Sequence, residues 1–115
     1  MNLIPTQAHG ILDYSSVATM LAAPRMLGWS GRIRWLVTGA AAMTLGYSLL
    51  TRYELGLAKV LPMEAHLALD ALSGALFCGT PVLLRDDDQA VLAALFGFGV
   101  FELVVVMLSD SSDNA

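Results

Sequence analysis

Charge is scarce in this chain. Of 115 residues only 14% are Asp, Glu, Lys or Arg, and 6 of these are basic. Scattered along the sequence, they form no Lys/Arg stripe of the kind that holds a nucleic-acid backbone. A single cysteine, Cys78, excludes an intramolecular disulfide and any cysteine-built zinc site; in its apolar surroundings it reads as packing. No Gly/Ser-rich linker divides the sequence, so residues 1–115 read as one domain. Nor does a basic residue precede the first apolar stretch, which therefore reads as a retained helix rather than a cleaved secretory signal.

What the chain has in quantity is apolar surface: 57% of its residues are hydrophobic, and the mean hydropathy is +0.67. A soluble domain of this size carries more charge, so the composition points to a bilayer as solvent. Apolar windows run from about Pro5 to Ala23, Trp35 to Thr51, Val60 to Leu84 and Gln89 to Leu108. Each approaches the roughly 17–25 residues that a helix needs to cross the hydrocarbon core. The expected fold is thus all-α, a four-transmembrane-helix bundle. The net charge of −4 comes mainly from Asp86, Asp87, Asp88, Asp110 and Asp113, at expected helix ends. Arg25, Arg32, Arg34 and Arg85 fall at one end of the bundle and Arg52 and Lys59 at the other, which places both termini outside the cytoplasm by the positive-inside rule.

An internal repeat organises the spans. At an offset of 57 residues, Pro5, Ala8, His9, Leu12, Asp13, Ser16, Ala18, Pro24 and Leu27 fall on Pro62, Ala65, His66, Leu69, Asp70, Ser73, Ala75, Pro81 and Leu84. Nine identities in 23 positions exceed the roughly two expected by chance, and define two tandem helical hairpins, about 4–52 and 61–109. The second helices of the two units, from Trp35 and from Val91, share only their apolar character. The prolines punctuate each unit, at the first turn of one helix and near its end. Gly28, Ser30 and Gly31 form a short turn, whereas residues 53–61 form a longer interfacial segment containing Tyr53. An even number of crossings per unit gives both the same orientation, related by a pseudo-two-fold axis along the membrane normal. Small residues at Ala42/Gly46, Gly74/Cys78 and Gly97/Gly99 allow close approach of helices.

Within this apolar frame lie two polar stripes. Residues at i, i+4 and i+7 share a helix face, so His9, Asp13 and Ser16 form one stripe and His66, Asp70 and Ser73 its twin. Depth along the helices, at about 1.5 Å per residue, brings Glu102 and Tyr47 level with them. At the same offset Leu45 stands opposite Glu102, leaving it without a polar counterpart. Buried carboxylates must be neutralised, paired or bound to a cation, and three readings follow. The layer forms a hydrogen-bonded clasp, each Asp accepting from a His and Glu102 meeting Tyr47. Alternatively it binds a metal ion through His9, Asp13, His66, Asp70 and Glu102, or haem between the two histidines. A third use is a proton or cation path, for which only Thr38 and Thr80 extend toward the other face. Ser16 and Ser73 lie two turns from the histidines with no oxyanion hole in sight, which disfavours hydrolysis and an enzymatic role.

The runs from Ile4-Pro5 to Tyr14, Tyr47 to Thr51, Tyr53-Glu54-Leu55-Gly56 and Pro62 to Asp70 resemble those of the small bacterial membrane proteins with SPW repeats, over roughly Ile4 to Leu108. Where that family has Ser-Pro-Trp, this sequence has Ala23-Pro24-Arg25 and Thr80-Pro81-Val82. The resemblance implies a four-helix fold and the inner membrane. It does not choose an activity. The expected protein is a structural or accessory membrane bundle, or a binder of metal, haem or cations, whose partners are lipid and a second copy or a larger membrane complex.

Overall fold

The computed structural model describes residues 2–29 and 31–114, and in them the chain forms four helices: α1 (Thr6–Met26), α2 (Gly31–Leu49), α3 (Met63–Leu83) and α4 (Gln89–Leu108). Pro5 and Pro62 stand immediately before α1 and α3 in extended conformation, where a missing N–H costs no helical bond. Asp88 starts α4 by accepting from the backbone N–H groups of Ala90 and Val91, two of the donors a helix start leaves unpaired. Pro24 and Pro81 lie inside the last turns, and the helices run on to Met26 and Leu83. So near the end, the one bond each proline removes does not break the helix. Of the Gly28, Ser30, Gly31 turn, Ser30 lies outside the described residues.

Burial repeats along the two hairpins. On α1 the buried residues include Thr6, His9, Gly10, Asp13, Val17 and Met20, and on α3 Met63, His66, Leu67, Asp70, Gly74 and Phe77. The offset is 57 throughout. On the second helices it is 58: buried Val37 and Ala41 match buried Leu95 and Gly99, and buried Thr44 falls on half-buried Glu102. Residues 84–88 connect α3 to α4 where residues 27–30 connect α1 to α2, so the longer connection absorbs the extra residue. Thr44, rather than Leu45, therefore stands opposite Glu102.

Two isolated parallel bridges close the arrangement, Ile4 with Ser109 and Leu61 with Thr51. Ile4 N donates to Leu108 O at 2.8 Å and Asp110 N to Ile4 O at 2.9 Å; Leu61 N donates to Leu50 O at 2.7 Å and Arg52 N to Leu61 O at 2.8 Å. Each hairpin thus begins where the other ends. These bonds fix the termini to the same end of the bundle and hold Thr51 and Ser109 against the starts of α3 and α1.

The apolar core, including Val17, Met20, Ile33, Val37, Phe77, Leu92 and Leu95, fills the half of the bundle away from the termini. Packing is tightest between α3 and α4: a Cβ added to Gly99 would lie 2.6 Å from the Gly74 carbonyl oxygen and 2.7 Å from Cys78 N. Of the expected small-residue contacts, Gly74, Cys78 and Gly99 make this approach, while Ala42, Gly46 and Gly97 face outward.

All four helices expose large apolar side chains, among them Ile11, Trp35, Met43, Leu72, Leu76, Phe96 and Val104. The buried set includes His9, Asp13, Thr44, Ser48, His66 and Asp70. Two of the four expected spans, α3 and α4, are long and apolar enough to cross a membrane by length and composition. α1 carries Gln7, His9, Asp13, Ser15 and Ser16, and α2 carries Arg32, Arg34 and Thr38, which lowers their hydropathy.

Candidate metal centre

One turn below the bridges, His9 and Asp13 on α1 meet His66 and Asp70 on α3 across the bundle. One ligand atom from each of the four lies within 4.8 Å of every other, and all four residues are buried. The pairing crosses between units. His9 Nε2 is 2.8 Å from Asp70 Oδ2 and 3.2 Å from Asp13 Oδ1, while His66 Nε2 is 2.9 Å from Asp13 Oδ2 and 3.1 Å from Asp70 Oδ2. Both ring nitrogens Nε2 therefore face the same pair of carboxylates.

The outer nitrogens settle the tautomer. Ser109 Oγ lies 2.7 Å from His9 Nδ1 and donates its single proton to Val105 O at 2.6 Å. Thr51 Oγ1 lies 2.7 Å from His66 Nδ1 and donates to Tyr47 O at 2.6 Å. With its proton committed, each hydroxyl can only accept, so each Nδ1 carries the hydrogen. Each Nε2 is then the variable atom, aimed into the tetrad as a lone pair or as a second N–H. Two lone pairs facing two carboxylates repel. The centre thus calls for two protons or one divalent cation, and either brings its net charge to zero.

Two tyrosines complete the shell. Tyr47 donates to Asp70 Oδ1 and Tyr53 to Asp13 Oδ2, the latter at 2.7 Å. Burial, and then the neighbouring Asp13 carboxylate, push the Tyr53 hydroxyl well above the ordinary tyrosine range, keeping it a donor. Tyr53 is fully buried here, whereas its position between spans suggests an interfacial anchor. Thr6, also buried, donates to Glu54 Oε1 at 2.8 Å and accepts from Asn114 Nδ2 at 2.9 Å, closing the end of the site.

Several expected members fall elsewhere. Glu102 is outside the converging set, because its carboxylate accepts from Ser73 Oγ at 3.3 Å. Tyr47 meets Asp70 instead of Glu102. Ser16 and Glu102 line a small cleft of about 20 Å³ together with Asp13, Asp70 and Thr44, room for about one water molecule or a bare ion. Thr51, Tyr53 and Ser109 are the contributors missed by reading stripes on helices. The sequence does carry a trace of two of them, as hydroxyl residues just beyond α2 and α4 at the offset of 58.

The donors fit a first-row divalent metal. Two imidazoles and two carboxylates suit zinc and its neighbours. Tetrahedral ligands about 2.0–2.1 Å from zinc are about 3.3 Å apart, so the 2.8–3.2 Å His–Asp contacts must open slightly, and the four ligand atoms, spread over up to 4.8 Å, must draw in around an ion. His66 Nε2 supplies a second indication: fully buried and 2.9 and 3.1 Å from the two carboxylates, it makes no well-aligned hydrogen bond to either. Haem does not fit. The histidine ring centroids are 5.1 Å apart, and the two carboxylates occupy the space a macrocycle needs. Of the two hydroxyls toward the other face, Thr80 donates to Phe77 O and Thr38 accepts from Arg25.

Fold and site define an all-α, four-helix protein with a buried two-histidine, two-aspartate centre. No protein-family model, curated protein or solved structure matches the chain.

Proposed function

We propose that the chain is a four-span membrane protein whose two hairpins, copies of one duplicated unit, are locked together by a divalent transition-metal ion of the zinc class. The observation that carries this reading is the convergence of four ligand atoms with both Nε2 atoms turned inward by Ser109 and Thr51. An N–H held by a neighbouring oxygen on the far side of the ring is the usual support of a metal-bound histidine. Four protein ligands fill a tetrahedron and leave no open position for water, as in structural rather than catalytic zinc sites.

Placement in the membrane is supported by the apolar exterior around a polar interior. α1 and α2 have 21 and 19 residues beside α3 and α4 with 21 and 20, each about 30 Å long and matched to the hydrocarbon core. The polar residues of α1 that matter most, His9 and Asp13, are buried and so spared contact with lipid. The resemblance to SPW-repeat proteins, and the arginines near the 27–30 and 84–88 connections, favour a bacterial cytoplasmic membrane with both termini outside.

Elemental analysis of the protein purified in detergent tests the metal directly. About one zinc-class ion per chain is expected, and none after His9→Asn with His66→Asn. A metal-free wild type that also fails to take up zinc, cobalt, manganese or iron would overturn the reading.

A further inference from the structure

Where α1 ends and α2 begins, two arginines share one edge of the hairpin. Arg25 is the penultimate residue of α1 and Arg34 the fourth of α2, so each lies within about one turn of its helix end. Arg25 Nη1 reaches across to α2, donating to Thr38 Oγ1 at 3.2 Å as well as to Leu21 O at 2.8 Å. Thr38 stands one turn from Arg34 on the same helix face. The two guanidiniums are therefore neighbours.

Neither has a carboxylate partner among the described residues, unlike Arg32, whose Nε lies 2.7 Å from Asp87 Oδ2. Arg34 Nε is buried without a hydrogen-bond partner, and its guanidinium carbon stands 5.9 Å from the centre of the Trp35 ring. The acids at this end of the bundle do not supply the missing charge. Asp87 is taken by Arg32, Asp88 caps α4, and Asp86 stands exposed in the connection of the other hairpin.

We propose that Arg25 and Arg34 form a site for the phosphate of an anionic phospholipid, with Trp35 against the glycerol and upper acyl chains. The site requires the membrane placement proposed above and is independent of any metal. Guanidiniums present forked N–H donors that match phosphate oxygens, and basic pockets between helices on the cytoplasmic side hold such headgroups. A lipid is favoured over free phosphate because the residues next to the pair, Met26, Trp35 and Leu36, expose apolar surface. Trp35, 67% exposed, is also the residue type that gathers at a bilayer interface.

The test reconstitutes the full-length protein into mixed bilayers of phosphatidylcholine and phosphatidylglycerol. A Trp29→Phe background leaves Trp35 as the one tryptophan, and its quenching by each lipid with brominated acyl chains is compared. Phosphatidylglycerol should be preferred. Arg25→Gln and Arg34→Gln should each lower that preference about fivefold, the worth of one basic residue near an anionic surface. Arg85→Gln, which removes the same charge from the other hairpin, should leave it unchanged. Equal quenching by both lipids with the arginines intact would overturn the site. So would an equal loss from Arg85→Gln, the mark of diffuse surface charge, or displacement of the brominated lipid by excess inorganic phosphate, the mark of a soluble anion. Should Trp29→Phe fail to fold, phosphatidylglycerol retained by the wild type and by Arg25→Gln, counted by native mass spectrometry, gives the same comparison. A chain recovered in the soluble fraction without detergent would instead sink the membrane placement on which the site rests.

Discussion

Ser109 and Thr51 decide which side of each imidazole a cation meets. Replacing Thr51 with Val removes the acceptor for the His66 Nδ1 hydrogen and leaves that ring free to adopt the other tautomer. Metal affinity is expected to fall by about 10–100-fold, as for other outer-shell losses, with the helical circular dichroism retained. Tyr53→Phe should act in the same direction by releasing Asp13 Oδ2; competition with a zinc indicator measures both. Protons and metal compete for the same Nε2 atoms. Loading should therefore release about two protons per ion, read by a pH dye in weak buffer, and binding should weaken on acidification. Glu102→Gln leaves this stoichiometry unchanged, since Glu102 is not among the four ligands.

At the scale of the helices, the two hairpins share a burial pattern but not a packing distance. Gly74 and Gly99 allow α3 and α4 to touch through backbone atoms, whereas Val17 and Ala41 occupy the equivalent places on α1 and α2. Gly99→Ala must move one helix, because its new Cβ would sit 2.6 Å from a carbonyl oxygen. A loss of about 1–3 kcal/mol is expected from such overpacking, seen as a lower midpoint of thermal unfolding in detergent. Gly97→Ala, two residues away, meets nothing and should leave stability unchanged or slightly higher. The segment between α2 and α3 is equally constrained. A Cβ on Gly56 would come within 1.9 Å of Thr51 O, so a side chain there disturbs the residue that orients His66.

For the whole molecule, the testable matter is how many helices cross the membrane. If all four cross, the 27–30 and 84–88 connections lie on one side and both termini on the other. If α3 and α4 alone cross, the 27–30 connection joins the termini. Single cysteines at Met26 and Asp86 in a Cys78→Ala background, probed with an impermeant thiol reagent in oriented vesicles, are expected to label from the same side. Arg32 Nε already lies 2.7 Å from Asp87 Oδ2, a contact requiring the two connections to share an end. Much of this architecture is legible from residues alone. Hydropathy and the spacing of His9, Asp13, His66 and Asp70 mark the helices and the polar face, because both follow from local periodicity and the cost of burying charge. The single added residue in the 84–88 connection hid the counterpart of Glu102, since a one-residue change of offset disguises equivalence between apolar stretches. What tertiary structure alone decided is the crossed pairing of each histidine with the other hairpin's aspartate, and the recruitment of Thr51, Tyr53 and Ser109. Those contacts join residues up to 100 positions apart, and no local pattern encodes a distance that only the closing of the bundle creates.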